Sequence, residues 1–231
     1  MPIVHDDVLG EVVVRRVKSA RAIRIKYAAN GKYTATIPTL TPIFYLKKML
    51  RESRNDLVGL AESTTPDMYK DGQIIGLDHK IAIVRSGISD RPHVKTTRKT
   101  IVATLPPTTD VKNIEVQGMI RVEVTKVLRT VAKGYLPDRL KLLAAKGPFT
   151  YTKVRFSHAS GRWGSCSSNG TISLNIALMK LSPQLIDYVL IHELAHTREM
   201  NHSPRFWSIV GQYDPLYKLH RRQMKHYTPH L

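Results

Sequence analysis

The chain has 231 residues, which allows one large domain or two small ones, and its 42% hydrophobic and 23% charged residues exclude disordered, collagen-like and low-complexity proteins. Lysine and arginine outnumber aspartate and glutamate by 36 to 18, and the net charge of +18 favours anionic partners such as nucleic acid. A single cysteine, no apolar run of the roughly 20 residues that cross a bilayer, and no signal-peptide pattern predict a cytoplasmic protein without an internal disulfide or a membrane partner.

The N-terminal part, residues 1–105, is predicted to be rich in strands. Alternating apolar residues predict strands near residues 12–14, 23–27 and 33–37, with a hairpin turn at Asn30-Gly31 between the last two. Thr41-Pro42 predicts the start of a helix that reaches about Ala61. Further strands are predicted at residues 73–77, 80–84 and 100–105, and Pro106-Pro107 marks the boundary to the next part.

The C-terminal part, residues 108–231, mixes helices and strands. Asp110 is the predicted cap of a long helix that ends near Gly134, and a shorter helix follows over residues 137–146. Strands are predicted at residues 150–156 and 171–174, with a loop rich in glycine and serine between them. Ser182-Pro183 predicts a helix to about Met200, and Ser203-Pro204 predicts another to about residue 210. The pattern shows no internal repeat and predicts an α+β protein.

The sequence HELAHTREMNH carries the clearest chemical signal. His192 and His196 are four residues apart in a predicted helix, so both imidazoles project from one face and can bind one metal ion. Glu193 lies beside them and can reach a metal-bound water. Zinc at neutral imidazoles lowers the pKa of its water to about 7, and a glutamate then takes the proton as general base. The motif therefore predicts one zinc ion and a hydrolase.

His202 is the predicted third zinc ligand. It follows His196 by six residues, and it comes directly after Asn201, which can end a helix in the left-handed conformation so that the chain turns back. A glutamate from a later helix is the usual alternative, but Asp214 is the only acidic residue after His202, so three histidines are preferred. Cys166 as a fourth ligand would instead make a structural zinc site, in which Glu193 would have no purpose.

These residues resemble a known family. HELAH followed by NHSPRFW, and preceded by RWGSCSSNGTISLN and by YVLIHELAH, resembles the YgjP-like metallopeptidases, which are relatives of the SprT-like zinc proteases. The resemblance is strongest over residues 154–222. It implies a zincin-like catalytic domain in which His192, His196 and His202 hold the zinc and Glu193 is the catalytic base.

The segment before the predicted strand at 171–174 matches the loop that borders the active-site cleft in that family. Zincins commonly bind substrate as an added strand along such an edge, and Gly164 would permit a close backbone approach. Tyr188, four residues before His192, can orient a ligand or pack behind it. The predicted substrate-binding residues are Arg162, Trp163, Gly164, Ser165 and Tyr188. Arg162 can also stabilise a developing oxyanion, whereas Trp163 can equally be a core anchor and Cys166 a small buried residue.

A cluster of cations near the N-terminus predicts a nucleic-acid-binding surface, because phosphates are bound by lysine and arginine side chains. Its members are Arg15, Arg16, Lys18, Arg21, Arg24 and Lys26. Aromatic residues that could stack on bases are few, with only Tyr27 and Tyr33 nearby.

The leading hypothesis is a zinc metallopeptidase that hydrolyses peptide bonds, with Glu193 activating a zinc-bound water, and that acts on proteins associated with nucleic acid. The alternative is a metal-dependent nucleoside triphosphate hydrolase, which the positive charge favours. A lone three-histidine site, however, lacks the carboxylate-bound second metal that clamps a polyphosphate. The second alternative, a nucleic-acid-binding module with structural zinc, requires Cys166 as a ligand.

Overall fold

The computed structural model describes residues 2–27, 33–64, 68–88 and 90–230. The chain divides into two compact units, Met1–Asp67 and Met68–Leu231. Both units mix strands and helices, so the predicted α+β class is confirmed.

The first unit is a four-stranded sheet with two helices. Its strands are β1 (Ile3–Asp6), β2 (Gly10–Val17), β3 (Arg24–Tyr27) and β4 (Tyr33–Pro38), followed by α1 (Ile43–Glu52) and α2 (Arg54–Thr64). The sheet order is β1-β2-β4-β3, with β2 and β4 parallel and the outer pairs antiparallel. Alternate residues of the central strands pack with the apolar face of α1 into one core, whose members include Val12, Val14, Ala35, Ile37, Leu46 and Leu50.

Two predictions for this unit need correction. The helix predicted from Pro42 to about Ala61 is two helices, because the chain turns at Ser53, which closes α1 with a hydrogen bond from its N–H to the Met49 carbonyl. Strand β1 was not predicted. The predicted Asn30-Gly31 turn lies outside the described residues, although β3 and β4 form the antiparallel pair that such a turn would join.

The second unit begins with another four-stranded sheet, which has the same topology. Its strands are β5 (Ile74–Ile75), β6 (His79–Arg85), β7 (His93–Thr97) and β8 (Thr100–Leu105), in the order β5-β6-β8-β7 with β6 and β8 parallel. The similarity between the two sheets includes one side-chain contact, made by an arginine in each. Arg16 in β2 binds the carbonyls of Thr39 and Thr41, and Arg85 in β6 binds those of Pro107 and Thr109, so each arginine holds the loop that follows its parallel partner strand.

A single long helix, α3 (Ile114–Ala144), follows. Asn113 rather than Asp110 is its cap, since the Asn113 side chain accepts a hydrogen bond from the Glu115 N–H at 2.8 Å. The prediction of two helices was wrong because α3 continues through Pro137. The fully buried side chains of Leu136 and Leu140 on either side of Pro137 keep both parts packed on the core.

The remaining elements form a three-stranded sheet and three helices. The strands are β9 (Lys153–Ser157), β10 (Gly164–Cys166) and β11 (Thr171–Asn175), in the order β10-β11-β9, with β11 antiparallel to β10 and parallel to β9. They are followed by a 3₁₀ turn (Ile176–Lys180), α4 (Pro183–Ala195), α5 (Pro204–Tyr213), α6 (Tyr217–Gln223) and a 3₁₀ turn (Met224–His226). Strands β7 and β10 and helix α6 were not predicted.

The division between the compact units lies earlier in the chain than Pro106-Pro107. That dipeptide lies inside the second unit, because the buried side chains of Ile101 and Leu105 in β8 share one core with Ile120 and Leu128 of α3. Within the described part of the chain, we find no helix that combines the length and the apolar character needed to span a membrane.

Candidate metal centre

Three imidazoles converge where α4 ends. His192 lies in the last turn of α4, His196 is the residue at its C-terminal cap, and His202 lies in the turn before α5. One ligand atom from each residue lies within 4.8 Å of the others, and the Nε2 atoms of His192 and His202 are 3.1 Å apart. Zinc–nitrogen bonds of about 2.0–2.1 Å in a tetrahedral site place two ligand atoms about 3.3–3.4 Å apart. The separation therefore fits two ligands of one small metal ion.

The end of α4 explains how His202 reaches the other two histidines. The helix stops at Ala195, earlier than the predicted Met200, and the chain turns back over residues 197–203, where the Ser203 N–H bonds to the Asn201 carbonyl at 2.8 Å. Asn201 does not supply the left-handed residue we expected, because Arg98 is the only non-glycine residue with positive φ in the described ranges. Ser203 then caps α5 by accepting a bond from the Phe206 N–H.

The protonation states of the imidazoles suit metal binding. The His196 Nδ1–H donates to the Glu199 carbonyl at 3.1 Å, which leaves its Nε2 free to bind a metal. Burial, and after it the neighbouring imidazoles, lower the pKa of His192 to about 3, and burial also lowers the pKa of His196. Both rings are therefore neutral at pH 7, which is the form that binds metal.

Aromatic rings surround the three histidines. The Phe206 ring lies 4.9, 4.5 and 4.7 Å from the rings of His192, His196 and His202, and Trp207 stacks on His202 at 5.7 Å. The buried Nδ1 of His192 has no hydrogen-bond partner among the described residues, so ring packing rather than a second hydrogen bond orients this side chain. The sequence analysis did not predict that Phe206 and Trp207 contact the histidines, although both residues follow His202 closely in the chain.

Glu193 is held in a confined position beside these ligands. Its side chain is 4% exposed, and within the described structure its Oε2 is buried with no hydrogen-bond partner. Burial raises the pKa of Glu193 to about 8, against the opposing charge of Arg162. A Cβ added at Gly164 would lie 2.5 Å from the Glu193 Oε1 and 2.8 Å from its Cδ. The group that lies against Gly164 in the structure is thus the Glu193 side chain, and the close approach of a substrate strand stays a prediction.

Strand β10 is fixed by a buried asparagine. The Asn175 side chain donates from Nδ2 to the carbonyls of Ala159 and Arg162 at 2.6 and 2.9 Å, and its backbone N–H bonds to the Trp163 carbonyl at 2.8 Å. Trp163 is half-buried against the core, whereas the Arg162 side chain is exposed. The predicted loop at residues 162–166 therefore contains a strand at the edge of its sheet, and Ser165 is the middle residue of that strand.

Cys166 is half-buried at the end of β10 and donates weakly from Sγ to the Ser167 carbonyl at 3.5 Å. Burial, and after it the Glu193 charge, raise the pKa of this thiol. A cysteine that binds zinc must be a thiolate, and the cluster of ligand atoms in the described residues consists of the three imidazoles. These observations favour a three-histidine site over the fourth-ligand alternative.

Tyr188 is predicted to orient a ligand or to pack behind it, whereas the contacts of His220 were not predicted. Tyr188 is buried between His192 and His220, with ring centroids 6.1 and 6.2 Å away, and burial raises its pKa to about 12. His220 Nδ1 lies 2.8 Å from the buried carboxylate of Asp214. Both depend on α6, which also carries Arg221, whose guanidinium carbon lies 4.5 Å from the centre of the Trp207 ring.

The predicted nucleic-acid-binding cations are in the first unit and do not form one uniform group. Arg15 and Arg24 pair in register with Thr36 from the two sides of β4, and Lys26 pairs with Thr34. The side chains of Arg15, Arg24 and Lys26 are exposed on the sheet face opposite the buried residues Val12 and Val14. Lys18 and Arg21 are exposed in the β2–β3 connection. Arg16 instead binds the carbonyls of Thr39 and Thr41.

The α+β fold, the HExxH sequence at the end of a helix and the converging imidazoles define a metal-dependent hydrolase. The sequence profile of the YgjP-like metallopeptidase domain matches residues 21–227, and the chain therefore belongs to the YgjP-like metallopeptidase family. A comparison with curated proteins finds no match. Among solved structures, the chain is similar to the metallopeptidase zymogen of Pyrococcus abyssi abylysin. The match has 29% identity and a TM-score of 0.36 and covers 39% of this chain and 92% of that chain.

Proposed function

We propose that the protein is a zinc-dependent peptidase in which His192, His196 and His202 hold the metal and Glu193 is the general base. The observation that carries the proposal is the buried carboxyl group of Glu193, which lies beside three converging imidazoles and has one oxygen without a hydrogen-bond partner among the described residues. A structural metal site would not need such a group, because burying an unsatisfied carboxylate costs free energy. The family supports peptide bonds as the target.

The residues divide the work of hydrolysis among them. Held by the three imidazoles, zinc would supply a Lewis acid that polarises the scissile carbonyl and lowers the pKa of water. The positive charge of a bound zinc ion would favour the ionised form of Glu193. In that form Glu193 would accept a proton from the attacking water and then pass it to the leaving amine. The backbone of β10 at Gly164 confines the Glu193 carboxylate, so the base needs little reorganisation before it acts.

The outer edge of β10 is the proposed binding site for the substrate. Of the described strands, only β11 pairs with β10, which leaves the other edge of β10 with backbone groups for an added strand. An extended, unfolded stretch of polypeptide satisfies this geometry. A nucleoside triphosphate does not use a strand edge, and it needs carboxylate-bound Mg²⁺ to hold its charge.

Metal analysis tests the ligand set. The purified protein should contain about one zinc per chain, and His196→Ala and His202→Ala should each lose most of it, because two imidazoles alone hold zinc weakly. Full zinc occupancy in His202→Ala would remove His202 from the site.

Hydrolysis assays test the reaction. Glu193→Gln should keep zinc and lose at least about a hundredfold in the rate of casein cleavage, which is the usual scale for a general base. Nucleoside triphosphates are incubated with both proteins in parallel. Glu193-dependent release of phosphate or pyrophosphate without peptide cleavage would contradict the peptidase proposal and support the nucleoside triphosphate hydrolase instead.

Nucleic acid is the proposed partner of the first unit. Its support is the exposed group of Arg15, Arg24 and Lys26, which three adjacent strands hold on one sheet face with the hydroxyls of Thr34 and Thr36 between them. Cations bind phosphates, and threonine hydroxyls add hydrogen bonds to them without reading the base sequence. Such a surface would bring the peptidase to proteins bound on nucleic acid.

A further inference from the structure

Arg221 is seated on an aromatic ring beside the metal centre. Its guanidinium carbon lies 4.5 Å from the centre of the Trp207 ring, and tryptophan is the best partner for this kind of cation–π contact. A guanidinium that lies over a ring keeps its N–H donors around its own edge, where they can bind a second group.

Trp207 is itself held by its neighbours. It stacks on His202 at 5.7 Å with 25° between the rings and on Tyr217 at 5.5 Å with 16°, and Phe206 meets it edge to face at 5.0 Å. Arg221 and the proposed metal ligand His202 therefore both contact the same indole side chain. The position of this cation relative to the metal centre is set by packing, unlike that of a mobile surface arginine.

The charge of Arg221 is available to a ligand. No ion pair between residues that the structure describes includes Arg221. The nearby carboxylate of Asp214 is engaged by His220 and by the Leu216 N–H. An exposed, oriented guanidinium beside a catalytic metal is a receptor for an anion.

We propose that Arg221, seated on Trp207, binds a carboxylate of the peptide substrate close to the scissile bond and thereby determines specificity. The inference rests on the proposed peptidase function. The carboxylate comes either from an aspartate or glutamate side chain or from the free C-terminus. A fork of N–H donors binds both in the same way.

The experiment measures peptide binding without turnover, by calorimetry on the zinc-loaded Glu193→Gln protein. Three forms of one unstructured peptide are compared. The first has glutamate at a given position and a free C-terminus, the second has glutamine at that position, and the third keeps the glutamate and has an amidated C-terminus. We expect one carboxylate form to bind about tenfold more tightly than its neutral counterpart, the scale of one charge-assisted hydrogen bond. A preference for glutamate indicates an acidic subsite, and a preference for the free terminus indicates an exopeptidase.

Two variants in the same background assign the effect. Arg221→Gln should abolish the preference. Arg222 is an exposed cation next to Arg221 on α6, and Arg222→Gln, which removes the same charge, should keep the preference. Equal binding of charged and neutral peptides, or a preference that survives Arg221→Gln, overturns the inference. Cleavage of the same peptides by the protein with Glu193 intact tests the proposed function separately. Absence of binding by every peptide would contradict both proposals.

Discussion

Gly164 sets the position of Glu193, the proposed general base, at the scale of a single atom. A methyl group at residue 164 would overlap the Glu193 carboxylate, with its carbon 2.5 Å from Oε1. Either the carboxylate or strand β10 must then move. Since a displacement of about 1 Å in a catalytic group can cost a hundredfold in rate, the missing side chain is part of the site.

We expect Gly164→Ala to lower kcat at least about tenfold while zinc content stays at its original level, because the substitution acts on Glu193 and not on the imidazoles. Gly161→Ala is the matched control, since a Cβ there meets nothing within 4 Å. Steady-state kinetics and metal analysis of both variants check the expectation. Equal losses in the two variants would show that the effect is not specific to the contact with Glu193.

The buried carboxylate of Glu193 also predicts a pH dependence in the metal-free protein. Burial raises its pKa to about 8 from the ordinary value of 4.5, so the folded state binds one more proton than the unfolded state between these pH values. The free energy of unfolding therefore falls as the pH rises through this window. Glu193→Gln removes the effect, and this variant should be close to the parent protein in stability near pH 5.

At pH 8.5 the metal-free Glu193→Gln protein should be the more stable one by a few kcal/mol, with an upper limit of about 4–5 kcal/mol from the size of the pKa shift. Urea unfolding with a chelator present measures the difference. The lowered pKa of His192 acts in the opposite direction between about pH 3 and its ordinary value of 6.5, but it is common to both proteins. A stability difference that does not change with pH would contradict the assignment.

At the residue scale, local spacing decided what could be predicted. The three histidines and Glu193 lie within eleven consecutive residues, HELAHTREMNH. Helix geometry brings His192, Glu193 and His196 together, and the short stretch of chain after the helix limits how far His202 can be from them. The contact between Gly164 and Glu193 joins strand β10 to helix α4, which lies farther along the chain. The contact of the Arg221 guanidinium with the Trp207 ring requires α6. Neither has a periodic signal in the sequence.

Among the elements, α4 matters most, because it carries His192 and Glu193. A pair of hydrogen bonds from the Arg139 guanidinium to the Asp187 carboxylate joins α4 to the long helix α3, with the Nε–Oδ1 distance at 2.7 Å. The two side chains are 32% and 21% exposed, so solvent weakens the attraction without removing it.

Arg139→Gln should lower the free energy of unfolding by about 1–2 kcal/mol, because it leaves a half-buried carboxylate without its bidentate partner. Lys141→Gln is the control, since it removes an exposed cation from the same helix. Denaturant unfolding at neutral pH compares the two variants. If both lose the same stability, the helix charge and not the link to α4 is responsible.

At the scale of elements, the strong helix signals in the sequence predicted that a helix is present better than they predicted where it ends. The start of α4 at Ser182-Pro183 and of α5 at Ser203-Pro204 agree with the structure. The end of α4 was placed at Met200, because nothing after Ala195 breaks a helix by its own propensity. The return of the chain toward His192 is a tertiary effect. At Pro137 the error was the opposite one, because the sequence predicts a helix break where α3 continues. Burial of Leu136 and Leu140 outweighs the cost of proline inside this helix.

For the molecule as a whole, the net charge of +18 predicts salt-dependent binding of polyanions. Arg15→Ala, Arg24→Ala and Lys26→Ala combined should weaken binding of duplex DNA and reduce the slope of log affinity against log salt by about 2–3, since each phosphate contact contributes about 0.9. Fluorescence anisotropy between about 50 and 200 mM salt measures the slope.

The matched control for this prediction lies in the same unit. Lys47→Ala, Lys48→Ala and Arg51→Ala remove three exposed cations from α1 and leave the sheet face unchanged. Equal changes in slope for the two triple variants would mean that total charge, not the Arg15 face, drives the binding. Unchanged DNA binding together with loss of binding to anionic vesicles would assign the face to a lipid surface.

The division into two units shows the limit of composition as a guide to the whole molecule. Pro106-Pro107 is a strong break in the pattern, yet Arg85 binds carbonyls in this stretch and the flanking elements share one core. The topological repeat was invisible for a related reason. The two sheets agree in strand order and in the role of Arg16 and Arg85, whereas most of their side chains differ, so self-comparison of the sequence detects nothing.

Because the two sheets share one strand order, a strand of one sheet can pair with the wrong partner while the chain folds. Strand β2 needs a parallel neighbour, and β8 offers the same hydrogen-bonding pattern as β4, its correct partner. Two properties resolve the ambiguity: β4 closes a much shorter loop than β8 would, and it leaves the ribosome earlier. Refolding of the intact chain from denaturant removes the second advantage. We therefore expect more strand-exchanged dimers after refolding than after synthesis, which size-exclusion chromatography of the two preparations would measure.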